Sequence, residues 1–292
     1  MKILITGAKG QLAKSLSLYL KKNYEIFSLD KNELDITDLS NIEKNISKLK
    51  PNIIINTAAY TKVDLAETNY QIAHQINSIG PKNLSKVIKN MNIYLIHIST
   101  DFVFDGNKSG EYNENDKTNP ISVYGKTKLI GEEEIIHHLK NYMIFRVSWL
   151  YGPASNNFIF KIIDQIKKNN KLTVVNDQFG RPTSTLDLSI LISQAIKKIS
   201  NNNFKNGLYH YSDGGAVVSR YKIAEYIVNN LTNTNFLASE IIPTSSNDIN
   251  LPAKRLYNSS LSLNKTLKEF KVKETNWENS ILKVLRDLEN AY

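Results

Sequence analysis

The chain has 292 residues, 41% of them hydrophobic, which suffices for two lobes or one large α/β domain with a sizeable core. It contains no cysteine, and this excludes disulfide bonds, thiolate nucleophiles and cysteine-based zinc sites. The formal net charge is +9, but the lysines are scattered rather than gathered in basic blocks. We therefore expect no nucleic-acid partner, whereas an anionic small-molecule substrate would suit this charge.

The chain opens with a predicted strand, a glycine-containing turn and a predicted helix. Residues 2–6 form a short β-branched apolar run, and apolar residues recur at helical spacing over 11–22. Glycines at such a turn let the backbone approach a diphosphate, which a helix N-terminus attracts. We interpret the turn as a dinucleotide-binding turn; the alternative is an ordinary βα connection, since Gly-x-x-Gly is a loose motif. The turn and helix start contain Gly7, Gly10, Gln11 and Leu12.

Asp30 ends the next predicted strand, residues 25–29, about 20 residues after the glycines. An acidic residue there can bind a ribose 2′-hydroxyl and would repel a 2′-phosphate, which favours NADH. The alternative for Asp30 is an ordinary exposed residue at a strand end. The adjacent Lys31 opposes that repulsion, so NADPH stays open as well.

Strands and helices alternate through the first half of the chain, which predicts a Rossmann-type doubly wound parallel sheet. We assign residues 1–148 to a dinucleotide-binding domain, to which later segments return. The further strands in this half are predicted at 52–56, 94–99 and 143–148, and the further helices at 40–49, 65–90 and 125–140.

The alternation weakens after Trp149, and we assign residues 149–292 mainly to a smaller, discontinuous α/β substrate-binding lobe. No apolar run of membrane-spanning length occurs, and Met1-Lys2-Ile3 opens a strand rather than a signal peptide. We expect a cytoplasmic protein without a membrane partner, as a monomer or homodimer. Helices are predicted at 157–169, 185–199, 219–232 and 275–290, and strands at 172–175 and 207–211.

Tyr124 and Lys128 are four residues apart, so a helix places the phenol and the ammonium on one face. An adjacent ammonium would lower the pKa of a phenol, ordinarily about 10, and provide a proton donor for carbonyl reduction. Thr100 and Asp101 follow the strand at 94–99, where the Thr100 hydroxyl can lie near Tyr124 and donate to a carbonyl oxygen. The alternative for Ser99-Thr100-Asp101 is an ordinary turn.

These residues lie within longer sequence blocks that carry a family resemblance. The blocks cover residues 7–12, 34–38, 56–67, 98–106, 124–132, 146–152, 177–183 and 252–255. Through them the sequence resembles the dTDP-4-dehydrorhamnose reductase family, within the extended short-chain dehydrogenase/reductase superfamily. The resemblance implies reduction of the C4 keto group of dTDP-4-dehydro-L-rhamnose by NADPH or NADH, giving dTDP-L-rhamnose for cell-surface polysaccharide.

The resemblance also implies roles for individual residues. The catalytic residues are Thr100, Tyr124 and Lys128. The cofactor contacts are Gly7, Gly10, Gln11, Leu12, Asp30, Asp35, Ile36, Ala59, Tyr60, Thr61, Tyr124 and Lys128. The nucleotide-sugar contacts are Thr100, Asp101 and Trp149, although Trp149 alone would also fit plain core packing.

Two other functions stay open from the sequence. One is a reductase or epimerase acting on a different nucleotide deoxysugar. The other is a non-catalytic, cofactor-binding regulatory subunit, against which the intact trio argues. His137 and His138 fall in a predicted helix without ligand spacing, so we interpret them as helix surface and expect no metal site.

Overall fold

The computed structural model describes residues 1–153, 157–231 and 240–289. The strands are β1 (Lys2–Thr6), β2 (Glu25–Leu29), β3 (Ile53–Asn56), β4 (Tyr94–Thr100), β5 (Tyr142–Val147), β6 (Leu150–Tyr151), β7 (Lys171–Val175), β8 (Phe179–Gly180), β9 (Thr183–Ser184), β10 (Gly207–Tyr211), β11 (Val218–Ser219) and β12 (Glu240–Thr244). The α-helices are α1 (Gln11–Leu20), α2 (Leu39–Leu49), α3 (Val63–Thr68), α4 (Tyr70–His74), α5 (Gly80–Ile88), α6 (Val123–His138), α7 (Phe158–Lys168), α8 (Thr185–Ser200), α9 (Arg220–Asn230), α10 (Asn264–Phe270) and α11 (Trp277–Glu289).

A six-stranded parallel sheet forms the centre, in the order β10-β5-β4-β3-β1-β2. The four inner strands β1, β3, β4 and β5 are buried on both faces, as near-continuous apolar runs predict, whereas the edge strand β2 is only partly buried. Ile3 and Ile5 of β1 pack towards α1 and α8, whereas Leu4 packs towards α2, α5 and α6. The predicted doubly wound sheet is therefore confirmed.

A second apolar cluster lies beside this sheet and is built from later parts of the chain. It joins α7, α9 and α11 with β7, and its largest buried side chains are Tyr151 and Trp277. The two-stranded pairs β12–β7, β11–β8 and β6–β9 connect these helices. This cluster faces the carboxyl-terminal edge of the sheet through Trp149 and Arg220, which line the same cavity as the strand ends.

The segment predicted as one helix at 65–90 is broken, and that prediction was wrong. Asn69 leaves the helical region at φ −115° and ψ 46°, which separates α3 from α4. A π-helical turn over Gln75–Ile79 follows, and α5 restarts with a proline in its first turn. Periodicity alone does not reveal such interruptions.

The strand predicted at 207–211 is β10, and it pairs with β5 as the sixth strand of the main sheet. The helix before β10, α8, packs against α1 in the apolar cluster on one face of the main sheet. Residues 232 and 290, the predicted ends of two helices, lie outside the described residues. Within the described ranges no helix is long and apolar enough to cross a membrane.

Candidate active site

The carboxyl ends of β1, β3, β4 and β5 open into a cavity of about 700 Å³. This edge is where ligands bind in doubly wound folds. The sequence-predicted site residues that line it are Gly7, Gly10, Gln11, Leu12, Asp30, Asp35, Ile36, Ala59, Thr61, Thr100, Asp101, Tyr124, Lys128 and Trp149. Tyr60 is outside this lining; its backbone is held by Asn77, which accepts from Tyr60 N at 2.8 Å and donates to Tyr60 O at 3.1 Å.

The glycine turn after β1 brings backbone close to backbone. Gly7 adopts a φ of +73°, and a Cβ there would lie 3.0 Å from the Cα and N atoms of Ala58. Gly10 precedes α1 and has no side chain over the free amide groups of the first turn. The helix start is thus open to an anion, as a diphosphate-binding turn requires.

The end of the cavity beside β1 and β2 carries both acidic and basic side chains. Asp30 accepts from the backbone of Asn32 at 2.8 Å, and its Oδ2 lies 2.6 Å from Nζ of Lys9. The hydrogen bond from Lys9 is the main reason that the pKa of Asp30 is lowered. Lys9 also lines the cavity and was not among the predicted site residues. Its position in the Gly-x-x-Gly turn was the signal that could have identified it.

The predicted catalytic residues come together at the start of α6. Ser122 caps this helix by accepting from Gly125 N at 3.1 Å, which places Tyr124 in the first turn and Lys128 one turn later. A Cβ at Gly125 would lie only 2.0 Å from the carbonyl oxygen of Phe102. Glycine therefore permits α6 to touch the turn that follows Thr100.

Thr100 and Tyr124 both line the cavity beside this contact. The Thr100 hydroxyl donates to Oδ1 of Asp101 at 2.9 Å, and its influence opposes the rise in the Tyr124 pKa. The Thr100 hydroxyl thus lies beside the cavity where a carbonyl oxygen would lie.

Burial is the main cause that raises the pKa of Tyr124 to about 12. The prediction that the Lys128 ammonium lowers this pKa was therefore wrong. The physical reason is the direction of the Lys128 ammonium. It donates to Ile98 O at 2.7 Å and contacts Nε2 of His97 at 3.2 Å, instead of bonding the phenol. Burial lowers the pKa of Lys128 to about 8. Tyr124 consequently stays protonated at neutral pH, as a proton donor must.

A buried ion pair fixes α6 to the sheet below these residues. Glu132 accepts from Nε of Arg146 at 3.0 and 3.1 Å and from Nη2 at 2.6 Å, and it also accepts from the Ser99 hydroxyl. Arg146 and Glu132 are 3% and 1% exposed, so the pair is shielded from solvent. It ties the residue before Thr100 to the helix that carries Tyr124. The sequence blocks contained these residues, but no role had been predicted for them.

The other wall of the cavity contains two arginines beside Trp149 and Asp101. The Arg220 guanidinium stacks 4.2 Å from the Trp149 ring centroid and donates from Nε to Oε1 of Gln178 at 3.0 Å. Arg255 donates to Oδ2 of Asp64 at 2.6 Å. Arg255 ends a recognised sequence block, whereas no sequence pattern indicated Arg220.

Burial raises the pKa of Asp101 to about 6, and its Oδ2 has no hydrogen-bond partner among the described residues. Trp149 has a φ of +47°, an uncommon conformation for a non-glycine residue, and it lines the cavity. Both residues thus have features beyond plain core packing. Among the described residues, no group of three or more His, Cys, Asp or Glu side chains could hold a metal ion.

Comparison with known proteins places this chain in a family. The family model described as the RmlD substrate binding domain matches residues 1–290. The dTDP-4-dehydrorhamnose reductase of Aggregatibacter actinomycetemcomitans is 38% identical over 96% of this chain and 97% of its own. The chain belongs to the dTDP-4-dehydrorhamnose reductase family.

Solved structures of the dTDP-4-dehydrorhamnose reductase family superpose over nearly the whole chain. The Clostridium acetobutylicum dTDP-4-dehydrorhamnose reductase has a TM-score of 0.91 at 38% identity, covering 99% of this chain and 100% of its own. The Bacillus anthracis enzyme, solved in complex with NADP, has a TM-score of 0.90 at 34% identity, covering 98% and 99%. A UDP-glucose 4-epimerase of Thermus thermophilus, with a TM-score of 0.80 at 17% identity, shares the fold.

Proposed function

We propose that this protein reduces the C4 keto group of dTDP-4-dehydro-L-rhamnose to give dTDP-L-rhamnose, using NADPH or NADH. The observation that carries the proposal is the meeting of Thr100, a protonated Tyr124 and a buried Lys128 at the cofactor cavity. The reductases named among its relatives support the choice of sugar.

The residues at the cavity fit a dinucleotide. The absence of a Cβ at Gly7 leaves the backbone of the turn clear, and the uncapped start of α1 offers amide groups to a diphosphate. Gly10, Gln11 and Leu12 would hold the diphosphate. Asp30, Asp35, Ile36, Ala59, Tyr60 and Thr61 would surround the adenosine and the chain leading to the nicotinamide.

Bound reduced nicotinamide supplies the hydride, and the side chains of the protein do the rest. Tyr124 gives its phenolic proton to the C4 oxygen as negative charge develops there. Thr100 donates a hydrogen bond to the same oxygen and holds it in place. Lys128, one helical turn away, binds the nicotinamide ribose and offers positive charge as Tyr124 becomes a phenolate.

The remaining wall suits the nucleotide part of the substrate. Arg220 and Arg255 provide two cations opposite the strand ends, where a diphosphate needs compensating charge. The Trp149 ring and the Asp101 carboxyl would contact the sugar beside Thr100.

We also propose a cytoplasmic location, because the substrate is a nucleotide-linked sugar and the chain has no cysteine. The protein would act there as a monomer or homodimer.

The test is an assay of the purified protein with dTDP-4-dehydro-L-rhamnose and each nicotinamide cofactor, following cofactor oxidation and identifying the product by NMR. The control substrate is the same nucleotide sugar with inverted configuration at C5. We expect turnover that strongly favours the L-sugar. Cofactor binding without oxidation of NADPH or NADH would overturn the proposal and favour a binding-only subunit. Preference for another sugar would overturn the substrate assignment alone.

A further inference from the structure

A buried hydrogen-bond ladder extends from Lys128 across three neighbouring strands. Nζ of Lys128 lies 3.2 Å from Nε2 of His97, and Nδ1 of His97 lies 3.0 Å from the side-chain amide of Asn56. The Thr6 hydroxyl donates to Oδ1 of the same amide at 2.6 Å. Thr6, Asn56 and His97 are paired in register on β1, β3 and β4. All four side chains are at most 1% exposed.

Donors and acceptors must match along this ladder, and a neutral His97 can meet that condition in either of two directions. A neutral imidazole has one N–H and one acceptor nitrogen. If Lys128 is an ammonium, it donates to Nε2, so Nδ1 carries the proton and donates to the oxygen of the Asn56 amide. The NH₂ group of Asn56 then donates to the Thr6 hydroxyl.

The second arrangement requires a neutral Lys128, because an ammonium has no lone pair to accept a hydrogen bond. The amine nitrogen then accepts from Nε2–H of His97, and Nδ1 accepts from the NH₂ group of Asn56. The Thr6 hydroxyl donates to the amide oxygen. The structure places Nδ2 of Asn56 against Nδ1 of His97 and Oδ1 of Asn56 against the Thr6 hydroxyl, as in the second arrangement. The first arrangement needs only that the Asn56 amide turn over, which exchanges its oxygen and nitrogen at nearly the same positions.

Resting on the proposed function, we propose that His97 is a positioning residue for Lys128, and that the ladder from Lys128 to Thr6 reverses its direction when Lys128 loses its proton. His97 and the carbonyl of Ile98 hold two of the three ammonium hydrogens, so the third is left for the ribose of the cofactor. The hydrogen-bond state of the ladder also reaches the cofactor turn, because Thr6 precedes Gly7 and accepts from Ala58 N at 3.3 Å.

The charges around the ladder make Lys128 its titrating member. Burial lowers the pKa of Lys128 to about 8, while Glu132 on the same helix raises it. Burial and the Lys128 charge hold the pKa of His97 well below its ordinary value, so His97 stays neutral. Glu132 is itself held by Arg146, and Tyr124 stays protonated. A change near pH 8 therefore reports Lys128.

Nitrogen NMR of the ¹⁵N-histidine-labelled wild-type protein tests this directly, because the two ring nitrogens shift differently with and without a proton. The His97 signal is identified by its loss in His97→Gln. We expect the Nδ1–H tautomer at pH 6.5 and the Nε2–H tautomer well above the Lys128 pKa, and a fixed tautomer in Lys128→Met. One tautomer across the whole range in wild type would overturn the proposal.

A matched pair of variants tests the positioning role. A glutamine amide reaches the place of Nε2, whereas an asparagine amide reaches only the place of Nδ1. His97→Gln should therefore keep an acceptor for Lys128, and His97→Asn should lose it. Loss of one hydrogen bond to an ammonium should move the alkaline fall of kcat/KM, and of NADPH binding, about one pH unit lower in the asparagine variant. Equal profiles for the two variants would overturn the proposal.

The measurements separate this inference from the proposed function. The tautomer change and the pH dependence of NADPH binding need no sugar substrate, so they stand even if the wild-type protein fails to reduce dTDP-4-dehydro-L-rhamnose. Conversely, normal turnover with a fixed tautomer refutes the ladder and leaves the reaction in place. If His97→Asn does not fold, the wild-type and Lys128→Met spectra still decide.

Discussion

Lys9 extends from the glycine turn to Asp30 at the end of the second strand, and its Nζ lies 2.6 Å from Oδ2 of the carboxylate. Lys31, which the sequence suggested as the compensating charge, instead lies 3.9 Å from Asp35. The charge that would repel a 2′-phosphate is thus already balanced by a residue of the diphosphate turn. Under the proposed function, this pairing would let one site accept either cofactor.

Removing either partner should change cofactor preference in opposite directions. Asp30→Ala frees Lys9 for a 2′-phosphate and should raise the NADPH-to-NADH ratio of kcat/KM about three- to tenfold. Lys9→Ala leaves Asp30 uncompensated and should lower that ratio by a similar factor. Lys31→Ala is the matched control and should change it less than Lys9→Ala. An unchanged ratio in both single variants would show that this end of the cavity does not hold the adenosine ribose.

Tyr124→Phe removes the proposed proton donor and little else. We expect kcat to fall by about 10²- to 10⁴-fold, the usual contribution of a general acid, with NADPH affinity preserved. Tyr70→Phe, at a half-exposed position outside the cavity lining, is the control and should retain full activity. Steady-state rates together with NADPH titration decide the matter, and near-wild-type turnover by the Phe variant would be incompatible with the proposed mechanism.

Gly125→Ala should separate α6 from the turn that follows Thr100. The added Cβ would lie 2.0 Å from a backbone oxygen, so the helix start must move and carry Tyr124 with it. We expect at least a tenfold loss of kcat and a lower free energy of unfolding, by about 1–3 kcal/mol. The neighbouring exposed Lys126→Ala should change neither quantity. Wild-type activity in the alanine variant would mean that the contact is not required.

Glu132→Gln should be strongly destabilising because it leaves the buried Arg146 without its counter-charge. Breaking such a pair typically costs about 3–5 kcal/mol in the free energy of unfolding, measured by urea denaturation. The control is Glu134→Gln, on the same helix as Glu132, which removes the half-buried partner of Lys82. This change should cost less than about 1 kcal/mol. Similar losses in the two variants would contradict the structural role of the buried pair.

The order and kind of the elements before residue 150 followed from sequence because apolar runs and helical spacing report burial directly. The break near Asn69 did not follow, since the neighbouring side chains keep a helical spacing through it. The two-residue strands β6, β8, β9 and β11 were missed because no periodicity exists over two residues. The strand β12 was missed as well, in a segment where Pro243 interrupts the β pattern.

For the site, spacing predicted which side chains line the cavity but not where their polar atoms point. Lys128 was expected to face Tyr124, and its ammonium instead faces Ile98 and His97, a relationship that depends on how α6 lies over the sheet. Arg220 could not be found from sequence, because its place beside Trp149 arises only when α9 packs against the later segments.

The place of β10 in the main sheet has a consequence for how such enzymes can diversify. Residues 207–211 form β10, which completes the main sheet, and α8 covers part of that sheet. Because α7 and α9 belong to the second apolar cluster, the chain crosses between this cluster and the main sheet more than once. In a hybrid that takes all residues after 148 from a relative, the new β10 would have to pair with the edge of β5. The new α8 would also have to pack against α1. We therefore expect a change of sugar specificity to be reached more easily through loops and single side chains at the cavity than through exchange of whole halves.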